Sequence, residues 1–299
     1  MDVKKQSTRK EYQRRINRVV DHIDAHYGEA LSLQRLAGVA PFSPYHFHRV
    51  FSAVMGETLH AYLRRIRLQK GANRLLHESE PSITAIALEC GFSSSSVFAR
   101  EFKQRFGRSP SAFAQHTEAT LTRPGEASAE PPKPAERDPD AARLATIEVR
   151  TRVPTRIAYV RRLGAYDQGV AEASARLMTW AGPRRLLGPD TQILGITHDN
   201  PHVTEPDRCR FDAAISLAKD VNATGDVSLT TFAPGACAVL PFDGPGRDFE
   251  GAYHTLYVDW LPHSGYLPAD HPAFFQLTAP PSSLTERITC DLCLPVAPL

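Results

Sequence analysis

No stretch of the 299-residue sequence approaches the ~20 consecutive apolar residues that cross a bilayer, which excludes a helical membrane protein. The opening MDVKKQSTRKEYQRR carries positive charge with no apolar segment behind it, so no secretory signal is expected. Cysteine is scarce: five, at 90, 209, 237, 290 and 293, too few and too scattered for a disulfide framework. A reducing cytoplasm is the expected compartment. Glycine-rich phosphate loops, the HExxH zinc pair and the nucleophile-elbow serine are missing, so no cofactor, metal or catalytic residue is expected. Cys290-x-x-Cys293 lacks two further ligands at suitable spacing, and residues three apart on a strand face opposite ways, so both read as structural. What remains is ordinary: 42% hydrophobic and 23% charged residues, which excludes wholesale disorder.

The length suggests two domains. A net charge of +2 hides an asymmetry. Residues 1–118 hold 18 Lys and Arg against 11 Asp and Glu, a balance of +7; residues 119–299 hold 17 against 22, a balance of −5. A basic half suits a polyanion, although a modest excess also suits a solvated surface. Between them, 121–142 reads LTRPGEASAEPPKPAERDPDAA, with five prolines and no aromatic residue. Such a stretch buries too little apolar surface to offset its ordering entropy. The expected division is therefore 1–118, a linker over 119–143, and 144–299.

The first half has helical periodicity. Tyr12, Ile16, Val19, Val20, Ile23 and Tyr27 share one face, and Thr8 with Glu11 reads as a capping box ahead of them. Ser43-Pro44 offers an N-cap serine and a proline at the first helical position, and Gly56 a stop. A longer helix is expected over 59–76. The pattern then recurs: Phe92, Phe98, Arg100, Phe102 and Gly107 repeat Phe42, Phe47, Arg49, Phe51 and Gly56 at an offset of 50 or 51. A short helix, a tight turn and a longer helix, stated twice, is a duplicated helix-turn-helix.

An α-helix fits the DNA major groove, where each base pair presents its own pattern of donors and acceptors. Opposite the phenylalanine face, the first longer helix offers Tyr45, His46, His48 and Arg49, and the second Ser95, Ser96 and Arg100. Lys103, with Arg64, Arg65, Arg67, Arg105 and Arg108, suits phosphates, which position a protein without reading sequence. The competing reading is a packed helical bundle with solvated charges. At residues 10–115, the blocks ALSLQRLAGVAPFSPYHFHRVFSAVMGETLHAYLRRIRL and ITAIALECGFSSSSVFAREFKQRFGRSPSAF resemble the two units of AraC/XylS-type transcription regulators. The resemblance implies double-stranded DNA as partner. It also implies a linker helix over 59–76 and two recognition helices in adjacent major grooves, with base reading by Tyr45, His48 and Arg49 in the first and by Ser95, Ser96 and Arg100 in the second.

From Ala145 the texture changes to the alternation of strands: TIEVRTRV, TRIAYVRRL, TQILGITH, RFDAAISLA, DVSLTTF, ACAVLPF, AFFQLTA and RITCDLCLPV. Helices are expected over 165–180 and 249–261. The order, strands, helix, two strands, then the same again, implies an α+β domain with antiparallel sheets in two pseudo-symmetric repeats, with the helices on one side. The expected fold class is therefore multidomain: an all-α double helix-turn-helix followed by this α+β unit. VRRLGAYDQ, GITHDNPHVT, CRFDAAISL, DWLPHSGY and CDLCLPV resemble the GyrI-like effector-binding domain. The resemblance implies a small apolar, often cationic, effector held among aromatic residues, here Tyr159, Tyr166, Trp260, His263, Tyr266 and Phe275. Plain core packing is the alternative for each. It also implies a glutamate in the strand after WLP, and there this chain has Phe275. Two rival functions stay open: a small-molecule hydrolase fused to a DNA-binding domain, which lacks that carboxylate, and a C-terminal protein-interaction module, with RNA polymerase a candidate partner.

Overall fold

A computed structural model describes residues 3–78, 81–115, 144, 146–166, 168–278 and 287–299; the proline-rich stretch lies outside them. The chain divides into two compact units, Met1–Ala127 with Thr224–Ser228, and Ser128–Ala223 with Leu229–Leu299.

The first unit is helical. α1 (Val3–His26) buries Ile16, Val19, Val20 and Ile23 completely. It starts five residues before the expected capping box, so Thr8 falls inside the helix rather than at its start. Neither proline nor glycine stands between Val3 and Tyr12 to stop it. Glu11 instead pairs with Arg14 and with Arg15, the latter at 2.8 Å, the i+3 and i+4 neighbours on a helix. Then come α2 (Leu33–Val39), α3 (Pro44–Met55), α4 (Leu59–His77), α5 (Ile83–Glu89), α6 (Ser95–Phe106) and the short α7 (Pro110–Ala114). Each from α2 on opens on a side-chain cap: Ser32, Ser43, Thr58, Ser82, Ser94 and Ser109 accept from the backbone N–H three residues on. α3 and α6 both end on a left-handed glycine, Gly56 at φ 72° and Gly107 at φ 73°. The caps Ser43 and Ser94 are 51 apart, so the extra residue of the second copy sits in its turn. Inward, Phe51 meets Phe47 and Tyr62 of α4 edge-on, and Phe102 packs against Phe98 and meets Phe113 of α7 edge-on.

The second unit is a sheet carrying helices. Its strands are β1 (Glu148–Arg152), β2 (Thr155–Leu163), β3 (Ile193–Thr197), β4 (Arg210–Ser216), β5 (Ser228–Phe232), β6 (Gly235–Gly244), β7 (Tyr266–Pro268), β8 (Ala273–Leu277) and β9 (Ile288–Pro298). The order is β1-β6-β9-β8-β3-β4-β2-β5, with the three-residue β7, which sequence patterning missed, added beside β9. Exchanging β1 with β5, β2 with β6, β3 with β8 and β4 with β9 reverses this order and leaves it unchanged. The repeats are thus related by a pseudo-twofold, and each lends its first strand to the other. The axis runs between β3 and β8, whose ladder is centred on Gly195 opposite Phe275.

α8 (Val170–Ala181) follows β2, and α9 (Phe249–His254) follows β6. α8 begins five residues later than expected, because Gly169 takes a left-handed φ of 67° with the Arg162 side chain packed against it. α9 is shorter than expected; the chain widens into a π turn over Thr255–Trp260 and tightens into a 3-10 turn over Leu261–His263.

Candidate functional site

In the helical unit the two recognition elements are built alike. Pro44 and Ser95 are the first residues of α3 and α6, so Arg49 and Arg100 both fall at the sixth position, facing away from the buried phenylalanines. His46, His48, Arg49, Ser96, Arg100 and Lys103 are exposed, and Ser95 is half-buried. Tyr45 lies in the first turn of α3. Arg100 keeps 74% of its side chain in solvent, with Glu101 4.0 Å away. The structure thus places His48 and Arg49 on one surface of α3, and Ser96, Arg100 and Lys103 on the matching surface of α6.

Two of the arginines assigned to phosphates belong elsewhere. Arg65 points into the unit and is 6% exposed. Its Nη2 and Nε donate to one Glu57 oxygen at 2.7 and 3.0 Å, and its Nη1 to Gln69 at 3.2 Å. Arg67 is half-buried and donates to three backbone carbonyls. Arg64, Lys103 and Arg108 are exposed and remain available to a polyanion.

In the second unit, strand pleating sorts the aromatics. One face of the sheet gathers Ile157, Tyr159, Leu194, Ile196, Ala214, Val239, Phe274 and Cys293 into a core. Phe275 turns to the other face, which carries α9. There its ring lies flat over Gly195, so close that a Cβ at 195 would come within 2.1 Å of it. Phe211 of β4 stacks beside it at 6.2 Å, and Phe249 of α9 meets it edge-on at 5.2 Å while also meeting Phe242 at 4.7 Å. Phe275 is only 8% exposed. The axial position that the family resemblance assigns to a carboxylate is therefore hydrocarbon surrounded by hydrocarbon.

The six expected ligand residues do not converge. Tyr159 is fully buried on the opposite face from Phe275, with the Arg161 guanidinium 5.1 Å over its ring. The Tyr166 hydroxyl donates to the Asp199 carbonyl at 2.7 Å and accepts from the Asp199 N–H at 3.0 Å, pinning the loop after β3. Trp260 and Tyr266 stack on each other at 6.1 Å, and His263 is exposed at the end of the 3-10 turn. Sequence reading missed Phe211, Phe242 and Phe249. Strand alternation puts Phe211 on the right face, but its nearness to Phe275 depends on long-range pairing.

Two buried ion pairs hold the loop between β3 and β4. Asp199 accepts from Arg210 Nε at 2.8 Å and Nη2 at 2.9 Å; Asp212 accepts from Arg161 at 2.6 and 2.8 Å and meets His198 at 2.7 Å. Burial works to raise the Asp212 carboxyl, but Arg161 and His198 outweigh it and hold it well below the usual carboxylate range. Burial pushes the Tyr257 phenol up to about 12 and the Tyr253 phenol well above its ordinary value. The five cysteines form no disulfide and are buried; burial pushes Cys290 and Cys293 up to about 12, and the pair lies on opposite faces of β9. Among the described residues no cluster of three or more His, Cys, Asp or Glu is placed to hold a metal, and no helix is long and apolar enough to cross a membrane.

A duplicated helix-turn-helix and a two-repeat antiparallel sheet with an aromatic axis together define the architecture. Comparison with known proteins carries this further. Residues 145–297 match the GyrI-like small molecule binding domain, and the chain belongs to that family. Residues 36–116 match the helix-turn-helix domain. Over 107 residues the chain is 36% identical to the HTH-type transcriptional activator RhaS of Escherichia fergusonii, covering 36% of this chain and 38% of that one. Over 96 residues it is 35% identical to the transcriptional regulator Rob of Salmonella typhimurium, covering 32% and 33%. The chain thus spans about a third of the length of these relatives. The crystal structure of the DNA-binding domain of the global transcriptional factor AdpA with a target DNA is 30% identical, covering 35% of this chain and 93% of that one at a TM-score of 0.33.

Proposed function

We propose that this protein is a cytoplasmic transcription regulator. Residues 1–118 read an asymmetric DNA site through two adjacent major grooves. Residues 144–299, beyond the linker at 119–143, bind a small apolar or aromatic effector. The observation that carries the DNA half is the matched placement of Arg49 and Arg100 at the sixth position of two exposed, identically capped helices. An arginine there can donate twice to guanine O6 and N7, while Lys103 meets phosphate. Tyr45, His46 and His48 read with Arg49, and Ser95 and Ser96 with Arg100. The named activities of RhaS and Rob agree with this reading.

The effector half rests on Phe275. A hydrolase of this fold would need a carboxylate where that ring lies, so the domain binds and does not catalyse. The same ring shapes preference. A buried cation loses its hydration and finds no countercharge at the axis, whereas a neutral aromatic gains from area and ring packing. Trp260 and Tyr266, stacked on each other, and the exposed His263 are the further proposed contacts for the effector, while Tyr159 and Tyr166 support the sheet and the loop after β3. Calorimetric titration of the full chain with a quaternary ammonium compound and its neutral isostere tests this. Tighter binding of the neutral compound is expected, with a change in DNA affinity when it binds. Tighter binding of the ammonium compound overturns the assignment, and binding of neither favours a protein partner, such as RNA polymerase, for this domain.

A further inference from the structure

The two helical repeats meet where there is no room for side chains. A Cβ built on Gly28, in the loop after α1, would lie 2.3 Å from the carbonyl oxygen of Glu89 at the end of α5. A Cβ on Gly91, in the turn before α6, would lie 2.8 Å from the Gly28 carbonyl oxygen and 2.8 Å from the Arg67 guanidinium. Gly91 also takes a φ of 79°, which favours glycine. The repeats therefore touch backbone to backbone.

Into this contact α4 delivers Arg67. Its Nε donates to the Tyr27 carbonyl at 2.8 Å and its Nη2 to the Glu29 carbonyl at 2.7 Å, both in the stretch leading to the first helix-turn-helix. Its Nη1 donates to the Gly91 carbonyl at 2.9 Å, in the turn of the second. Two helical turns further along, Arg74 pairs with Glu78 at 2.5 Å and with Glu89. A guanidinium is a planar fork whose donors have fixed directions, so three carbonyls bound to it are fixed in position and orientation relative to one another. A lysine is a point charge that cannot do this.

We propose that Arg67 is a positioning residue: without touching DNA, it sets the spacing and angle between the recognition helices α3 and α6, and so the spacing of the two half-sites that the protein accepts. Its consequence for DNA rests on the DNA-reading function proposed above; its consequence for helix placement does not.

The test uses the full chain with spin labels on A53C and Q104C, exposed positions on α3 and α6. The five native cysteines are buried and leave the label to these two sites. Pulsed electron resonance then reads the distance between the helices. One narrow distance distribution is expected with Arg67 present, and a broadened or shifted one in Arg67→Ala. Arg67→Lys, which keeps the charge and most of the packing, should broaden it too, and serves if the alanine variant does not fold. In parallel, each protein is titrated with a duplex selected by the unlabelled wild type, and with the same duplex carrying one extra base pair between the half-sites. The wild type should prefer the unexpanded duplex, and both variants should lose that preference. An unchanged distance distribution in Arg67→Lys overturns the proposal, whatever happens to affinity. A broadened distribution with no duplex selected by any protein upholds the positioning role and removes the DNA-reading function instead.

Discussion

Replacing Gly195 by alanine tests the axis of the second unit directly. The new methyl carbon would lie 2.1, 2.3 and 2.8 Å from three carbons of the Phe275 ring. All are below any tolerable contact, so ring or strand must move. The ring cannot swing towards Phe211, which stacks beside it, or towards Phe249, which meets it edge-on. Overpacking of this kind costs about 1–3 kcal/mol. Phe275→Ala alone leaves a cavity and should cost about 3–5 kcal/mol. In the double variant the methyl group enters space the ring has vacated, so the two costs should fall short of their sum by about 1–2 kcal/mol. The assay is urea unfolding of the full chain followed by tryptophan emission, since both tryptophans, Trp180 and Trp260, lie in the second unit. Strict additivity would refute the claim that these residues share one volume across the pseudo-twofold.

Five further substitutions have expected outcomes. Arg49→Ala should cost about 1–3 kcal/mol on the selected site and relax base choice at one position, whereas Lys103→Ala should weaken all duplexes alike and flatten the salt dependence by about one charge; anisotropy titrations over a salt series separate the two. Glu57→Ala should destabilise the helical unit by about 3–5 kcal/mol by stranding Arg65, read from helical circular dichroism, while Arg64→Ala should change stability by less than about 0.5 kcal/mol. Burial lowers the His77 imidazole to about 4. The folded unit therefore resists its protonation, and stability should be full above about pH 6.5 and fall as pH drops towards 4. Denaturation at pH 7 and pH 5 should show His77→Gln losing less stability between them than the wild type.

Local chemistry made much of this fold legible. The serine caps, the left-handed glycines and the Phe-x₃-Phe faces are decided by residues within one turn of each other, and the duplication exposed them twice. Strand alternation likewise carried the two-repeat order of the second unit. Side-chain partners across long separations were not legible. Arg64, Arg65 and Arg67 look alike in sequence, yet Glu57 draws Arg65 inward and the carbonyls of Tyr27, Glu29 and Gly91 draw Arg67. Tyr159 and Phe275 both sit on strands, but only the register shows that they face opposite ways. Helix ends were misread where no breaker stood, as before Tyr12, or where a glycine acted as one, as at Gly169.

The central claim, that two matched helices read one DNA site, is tested most directly by selecting binding duplexes from a randomised pool with the full chain. The account predicts an asymmetric motif of two specified clusters about one helical turn apart, with one cluster losing definition in Arg49→Ala and the other in Arg100→Ala. Enrichment of no motif, or of a single cluster unaffected by either substitution, would contradict it.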